Sequence, residues 1–156
     1  MKKLFALILS AIILVSLAAC SNVNSDAEEV DISALGSYII ENVEFAEQLE
    51  ELDSEVALRQ YSLDSLDIQA VAYASSSAVA DTLVIFRLAN PADLPAVESA
   101  VESRIDYLED GYSDYGPDEV PKISSAVTYI LDNVVVFCIC PDNASAQETI
   151  AGYFAS

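Results

Sequence analysis

The first twenty residues most constrain how this chain can fold, because they carry a pattern that a folded domain does not need. Two lysines precede a 16-residue, mostly apolar run over residues 4–19, which leads directly into Cys20. A positive start, an apolar stretch and small residues before a cleavage point are typical of an export signal. The run is shorter than the roughly 20 apolar residues of a membrane-spanning helix. We therefore predict that residues 1–19 are a signal peptide outside the folded domain.

The end of the run, Leu17-Ala18-Ala19-Cys20, resembles the lipobox of bacterial lipoproteins. In such signals the cysteine thiol receives a diacylglycerol, and acyl chains such as palmitate hold the mature protein at the membrane. Each buried methylene adds about 0.8 kcal/mol, so two or three chains make a stable anchor. The resemblance implies lipidation at Cys20 and a location at the extracytoplasmic face of the cell membrane. The small polar residues that follow predict a flexible tether over 20–30.

Charge narrows the possible partners of the mature chain. Removal of residues 1–19 leaves 137 residues, enough for one α+β domain with a hydrophobic core over 31–156. All 26 acidic residues remain against four basic ones, which gives a net charge of −22. That charge repels the phosphates of nucleic acid and disfavours a domain lying flat on an anionic bilayer. An acidic surface that only keeps the protein soluble explains the charge equally well.

Four helices are predicted from apolar residues that recur every three or four positions. Each helix follows a residue suited to an N-cap, and these residues are Asp31, Asp53, Asn90 and Asp142. Gly36 indicates close packing of the first helix. Gly111 is expected to end the third, because glycine commonly follows a helix C-terminus. Residues 117–119 predict a short helical turn.

Four strands are predicted at 68–74, 81–89, 127–131 and 134–140. The second is apolar on both faces except for Arg87, so it should be central. Asp132-Asn133 joins the last two and suits a type I′ turn, since both residues tolerate positive φ. These elements predict a four-stranded, mainly antiparallel sheet with helices packed on one face.

The chain resembles the uncharacterised Gram-positive lipoproteins that carry domain of unknown function 4358. The resemblance covers roughly residues 31–154 and rests on Tyr73, LVIFRLANPADL, Arg104, Tyr115-Gly116-Pro117-Asp118-Glu119 and the hairpin VTYILDNVVVFCIC. A glycine is usual in the hairpin turn of that family, where this chain has Asn133, which also adopts the left-handed conformation. The resemblance implies fold and location and no activity.

Few residue types suited to catalysis or metal binding are present. Histidine, the usual general base and the commonest transition-metal ligand, is absent from the sequence. Cys138 and Cys140 are two apart on a strand, about 6.6 Å between Cα atoms and poorly aimed for a disulfide, so we expect free buried thiols. We assign no catalytic, metal-binding or cofactor-binding residue.

Two surface clusters carry alternative interpretations. Tyr107, Tyr112, Tyr115 and Tyr129 either line a ligand surface or cover the sheet edge and a helix end. An acidic cluster could supply oxygen ligands to Ca²⁺, although it lacks the order of a known calcium loop. Its residues are Asp106, Asp110, Asp114, Asp118 and Glu119.

Arg104 is predicted to be a structural tie. Its helix offers no carboxylate at the favourable spacings, and a turn after Gly111 would bring Asp118 or Glu119 back to it. A bidentate bond would then hold the turn at Tyr115 against the helix. The alternative is that Arg104 binds an anionic ligand.

The leading functional hypothesis is a membrane-anchored, non-enzymatic binding module whose partner is an envelope protein or peptide. The alternative is a small envelope hydrolase that uses two carboxylates. Close, otherwise unpaired carboxylates in a cleft would favour the enzyme, whereas an exposed tyrosine-rich patch would favour binding.

Overall fold

The computed structural model describes residues 29–155, so the predicted signal, Cys20 and most of the tether lie outside the described residues. The helices are α1 (Ile32–Asn42), α2 (Ser54–Gln60), α3 (Leu94–Tyr115), α4 (Val120–Ser124) and α5 (Asn143–Ala155). The strands are β1 (Glu50–Leu52), β2 (Ile68–Ala74), β3 (Thr82–Leu88), β4 (Val127–Leu131) and β5 (Val134–Ile139). Two 3₁₀ turns, Pro91–Asp93 and Pro117–Glu119, precede α3 and α4. Within the described range, no helix combines the length and the hydropathy needed to cross a membrane.

The strands form one open antiparallel sheet in the order β1-β2-β3-β5-β4. The predicted α+β class is therefore confirmed, but the predicted count of four strands is wrong. The additional strand, β1, has three residues, two of them glutamates, and pairs with the end of β2. Such a short, acidic segment has no alternating pattern of its own, so its pairing with β2 makes it a strand.

The helices cover both faces of the sheet, and the prediction of helices on one face is wrong. On one face α1 and α5 pack against Leu83, Ile85 and Val136. On the other face α2, α3 and α4 pack against Val84, Phe86 and Phe137. The physical reason lies in β5, which is buried along its whole length, and in β3, which is nearly so. Strands with no polar face need cover on both sides.

Local signals at the helix ends are mostly confirmed. The Asp31 carboxylate accepts hydrogen bonds from the first turn of α1, and Asp53 does the same for α2. Asn90 caps the 3₁₀ turn that leads into α3, and Asp142 accepts from Ser145 N–H at the start of α5. A Cβ on Gly36 would lie 3.2 Å from the Tyr73 ring, so the predicted close packing of α1 is confirmed.

The predicted end of α3 at Gly111 is wrong, because the helix continues to Tyr115 and is capped by Gly116. Gly111 has no positive φ, so its backbone is compatible with a continuous helix. The extra turn buries the side chain of Tyr112. Burial of that ring opposes the roughly 1 kcal/mol cost of glycine in a helix interior.

The turn between β4 and β5 is not of type I′, which needs positive φ at both central residues. Asp132 has a φ of 51°, whereas Asn133 is not in the positive-φ region. Asn133 instead connects the hairpin to the end of β3. Its Nδ2 donates to the Leu88 carbonyl at 3.0 Å, and its own carbonyl accepts from Leu88 N–H at 2.9 Å.

Candidate functional site

An open groove lies at the end of the sheet where β2 connects to β3. One wall is the connecting loop, with Ser75, Ser77 and Asp81, and the other is the C-terminal half of α3. The cavity has a volume of about 310 Å³. We call it the α3 groove, and its α3 wall consists of Arg104, Tyr107, Leu108, Tyr112 and Tyr115.

Three charged side chains, which we call the Lys122 cluster, join the loop wall of this groove to α4. Lys122 Nζ lies 2.5 Å from Asp81 Oδ1 and 2.5 Å from Glu119 Oε2. The Asp81 side chain is fully buried. The sequence prediction missed this cluster. One feature of the sequence could have indicated it: Asp81 comes directly before an apolar strand, and an acid at such a position needs one of the few basic residues of the chain as a partner.

Backbone donors complete the cluster. Asp81 Oδ2 accepts from Ala46 N–H at 2.5 Å, and Glu119 Oε2 accepts from Ala80 N–H at 2.7 Å. Burial acts to raise the pKa of Glu119, but the hydrogen bonds from Lys122 and Ala80 outweigh it and lower the pKa. Burial likewise acts to lower the pKa of Lys122, and the two carboxylates reverse the direction and raise it. Both groups are therefore held in their charged forms.

The two strand cysteines lie beyond this cluster, and both are buried free thiols, which confirms that prediction. A hydrogen bond with Cys140, together with burial, raises the pKa of the Cys138 thiol well above its usual value. Asn143 connects Cys140 to α4, because its Oδ1 accepts from Cys140 N–H and its Nδ2 donates to the Lys122 carbonyl. These contacts favour a packing role for the thiols.

Arg104 does not form the predicted ion pair. Glu119 is bound by Lys122 instead, Asp118 is exposed, and no ion pair in residues 29–155 includes Arg104. The continuous helix explains this result, since the 12 residue steps from Arg104 to Gly116 span about 18 Å. The turn at Tyr115 therefore lies too far along the helix axis to return to Arg104.

Two tyrosines hold the Arg104 side chain in its place. Its Cζ lies 5.1 Å from the ring centroid of Tyr107 and 5.9 Å from that of Tyr61. Burial raises the pKa of Tyr61, and the charge and hydrogen bond of Arg104 oppose that rise only in part. The other three basic residues of the described range all pair with carboxylates: Arg59 with Glu55, Arg87 with Glu29, and Lys122 as above. Arg104 is thus the exception in a strongly acidic chain.

Three of the four predicted tyrosines come together at the groove. Tyr107 and Tyr115 are 67% and 65% exposed, whereas Tyr112 is buried and donates to the Ser77 carbonyl at 3.4 Å. Burial, and then the neighbouring Tyr115, raise the pKa of Tyr112 to about 12. Tyr129 lies on the opposite face of the sheet, stacked on Phe154 at 5.5 Å between centroids.

The acidic residues proposed as calcium ligands do not form a metal site in the described part of the chain. Asp106, Asp110, Asp114 and Asp118 are all exposed, and Glu119 belongs to the Lys122 cluster. Across residues 29–155, no three acidic or cysteine side chains gather closely enough to hold a metal ion.

The family profile described as Domain of unknown function (DUF4358) matches residues 41–140. The chain belongs to the DUF4358 family. The predicted resemblance to DUF4358 is confirmed over residues 41–140, and this range includes all five strands, the α3 groove and the Lys122 cluster. No curated protein and no solved structure matches this DUF4358 chain.

Proposed function

We propose that this DUF4358 protein is a lipid-anchored, extracytoplasmic module that binds a protein or peptide of the cell envelope in the α3 groove and catalyses no reaction. One observation carries the proposal. Arg104, a cation without a carboxylate partner in the described range, lies in an open groove against the exposed ring of Tyr107, and a second exposed tyrosine, Tyr115, lies farther along the same wall. Aromatic rings and arginine are the side chains most enriched at binding hot spots.

The position of the tether supports this assignment. Arg87 Nη1 lies 3.1 Å from Glu29 Oε1 and 3.0 Å from the Val30 carbonyl, which fixes the start of the domain beside the end of β3. The groove lies beside Asp81, at the start of the same strand. The six residue steps from Asp81 to Arg87 separate the two points by about 20 Å. The tether therefore joins the domain at the end of β3 opposite the groove, and its attachment does not occupy the groove.

The alternative, a carboxylate-based envelope hydrolase, has weaker support. Such an enzyme needs carboxyl groups that are free to exchange protons with substrate. Asp81 lines the groove, but it and Glu119 both accept hydrogen bonds from Lys122 and from backbone N–H groups. The pattern of engaged carboxylates and exposed tyrosines therefore favours binding over hydrolysis.

Site-specific photo-cross-linking in intact cells tests the binding proposal. A photoreactive phenylalanine analogue replaces Tyr115 in the groove, and a matched variant carries it at Ile130, which is 37% exposed on the edge strand β4. We expect an adduct of defined mass from position 115 that is missing from position 130. Equal labelling at both positions, or no adduct at position 115, would contradict the proposal.

A further inference from the structure

We infer that Arg104 receives the carboxylate of a ligand whose remaining part is uncharged or positively charged, such as a short peptide with a free C-terminus. This inference rests on the proposed binding function and names the ligand chemistry of the same groove.

The guanidinium is available to a ligand. Arginine has five N–H donors arranged in one plane, and stacking on a ring uses the face of the group and leaves its edges free. Arg104 lies over the rings of Tyr61 and Tyr107, and its hydrogen bond to Tyr61 uses one N–H of the guanidinium. The remaining N–H donors have no partner in the described part of the chain. It borders two cavities, the α3 groove and an adjoining cleft of about 340 Å³ that contains Gln60 and Ser103. A planar carboxylate matches the free edge of such a group bidentately.

The hydrophobic core fixes the position of this arginine. Tyr61 is buried, and its ring meets Phe86 and Phe137 edge-to-face at centroid distances of 5.2 and 6.2 Å. Because Tyr61 cannot move without disturbing these rings, Arg104 is held in place before a ligand arrives. A group held in this way loses less conformational entropy on binding.

The net negative charge of the chain limits which anions can bind at Arg104. Twenty-six acidic residues stand against six basic ones in the whole sequence, so a polyphosphate or polyanion would be repelled by the domain as a whole. A single carboxylate faces one local cation and adds little to that repulsion. The exposed rings of Tyr107 and Tyr115 offer apolar contact to the body of a ligand. These features together favour a monocarboxylate attached to a neutral or cationic body.

The test compares two probes on the isotope-labelled full chain in detergent micelles, followed by NMR. One probe is acetyl-Ala-Ala with a free carboxylate, and the other is the same dipeptide as its C-terminal amide. We expect saturable shifts in α3 for the acid in the millimolar range, and binding of the amide weaker by about tenfold or more. Inorganic phosphate should cause no saturable shift in α3. Equal binding of acid and amide, or no saturation with the acid, would overturn the inference.

Matched variants assign the effect to one residue. Arg104→Gln should weaken binding of the acid by about tenfold or more, whereas Arg59→Gln removes the same charge from an exposed pair outside the groove and should leave binding unchanged. Arg104→Lys keeps the charge but loses the bidentate geometry, so it should bind with intermediate affinity. If Arg104→Gln fails to fold, the comparison of the acid probe with the amide probe on the unmodified chain still tests whether the groove binds a carboxylate. An adduct at position 115 that persists in Arg104→Gln would keep the proposed function and overturn this inference.

Discussion

Lys122 Nζ lies 2.5 Å from the carboxylate of Asp81, whose side chain is fully buried. This contact joins α4 to the residue that precedes β3, although the two residues are 41 positions apart. The other oxygen of Asp81 holds Ala46 N–H, and Glu119 completes the cluster. A buried charge is tolerated only when partners replace its lost hydration. All three members therefore depend on one another.

Lys122→Met should destabilise the protein strongly, because it leaves the buried Asp81 carboxylate without its cation. Removing one partner of a buried pair costs about 3–5 kcal/mol. Arg59→Met is the matched control, since that arginine forms an exposed pair with Glu55, which is worth about 0–1 kcal/mol. Urea unfolding of both variants measures the difference. A loss in Lys122→Met no larger than in the control would show that the cluster does not hold these elements together.

Glu119→Gln should lower the free energy of unfolding by an amount that depends on pH. The pKa of Glu119 is lowered in the folded state, so its stabilising contribution is fully present above its unfolded-state pKa of about 4.3. That contribution is lost as pH falls through the lower folded-state pKa. We expect the variant to be about 1–3 kcal/mol less stable than the unmodified chain at neutral pH.

The measurement is the difference in unfolding free energy between Glu119→Gln and the unmodified chain, taken at several pH values. Comparing the two proteins cancels the titration of the many other acids. The difference should shrink in acid. A constant difference from neutral pH down through the glutamate range would rule out a contribution from the ionised carboxylate. Lys122 behaves in the opposite way at high pH. Its folded-state pKa is raised, so its contribution to the free energy of unfolding is lost only as pH rises through that pKa.

The parts of the fold that local chemistry determines could be predicted from the sequence. Asp31 and Asp53 cap the helices that follow them because an N-cap needs only a side-chain oxygen and the next two or three backbone N–H groups. The strand β3 was recognisable from its apolar residues. The same residues also require cover on both faces, so the apolar patterns of β3 and β5 are incompatible with helices on one face only.

The parts that depend on distant partners could not be predicted in this way. β1 is a strand because β2 provides an edge for it, and nothing in its own three residues indicates this. The sequence shows that Arg104 lacks a partner in its own helix, but Lys122 competes for Glu119, and the sequence does not indicate which of the two cations binds it. Only the folded structure shows which basic side chain reaches which carboxylate.

The two strand thiols should resist alkylation in the native protein. Both side chains are fully buried and unbridged, so the reagent cannot reach them. The raised pKa of Cys138 also keeps its thiol protonated, whereas the hydrogen bond with Cys138 lowers the pKa of Cys140, which burial alone protects. Iodoacetamide should therefore modify Cys138 and Cys140 only after denaturation, without a reducing agent, and peptide mass analysis identifies the modified residues. A peptide that contains an intact bridge between them would contradict the free-thiol assignment.

Cys20 is predicted to carry the lipid, because it follows Leu17-Ala18-Ala19 at the end of the apolar run. Cys20→Ser should abolish fatty-acid labelling in cells and cause the unprocessed form to accumulate, since serine has no thiol to receive the lipid. Cys138→Ser is the matched control and should label normally, provided that the variant folds. Normal labelling of Cys20→Ser would refute the lipoprotein assignment.

Alanine at two glycines of the α3 region should change stability in opposite directions. Gly111 is in the helix interior, and an added Cβ there meets no atom within 4 Å, so Gly111→Ala should stabilise the protein by about 0.5–1 kcal/mol. At Gly116 the added Cβ would lie 2.9 Å from Cδ1 of Tyr112, a ring that is buried against the loop of the groove. That ring cannot rotate away freely, so Gly116→Ala should cost about 1–3 kcal/mol. Thermal or urea unfolding of the pair distinguishes the continuous helix from one that ends at Gly111. If the helix ended there, Gly111→Ala would be the destabilising member.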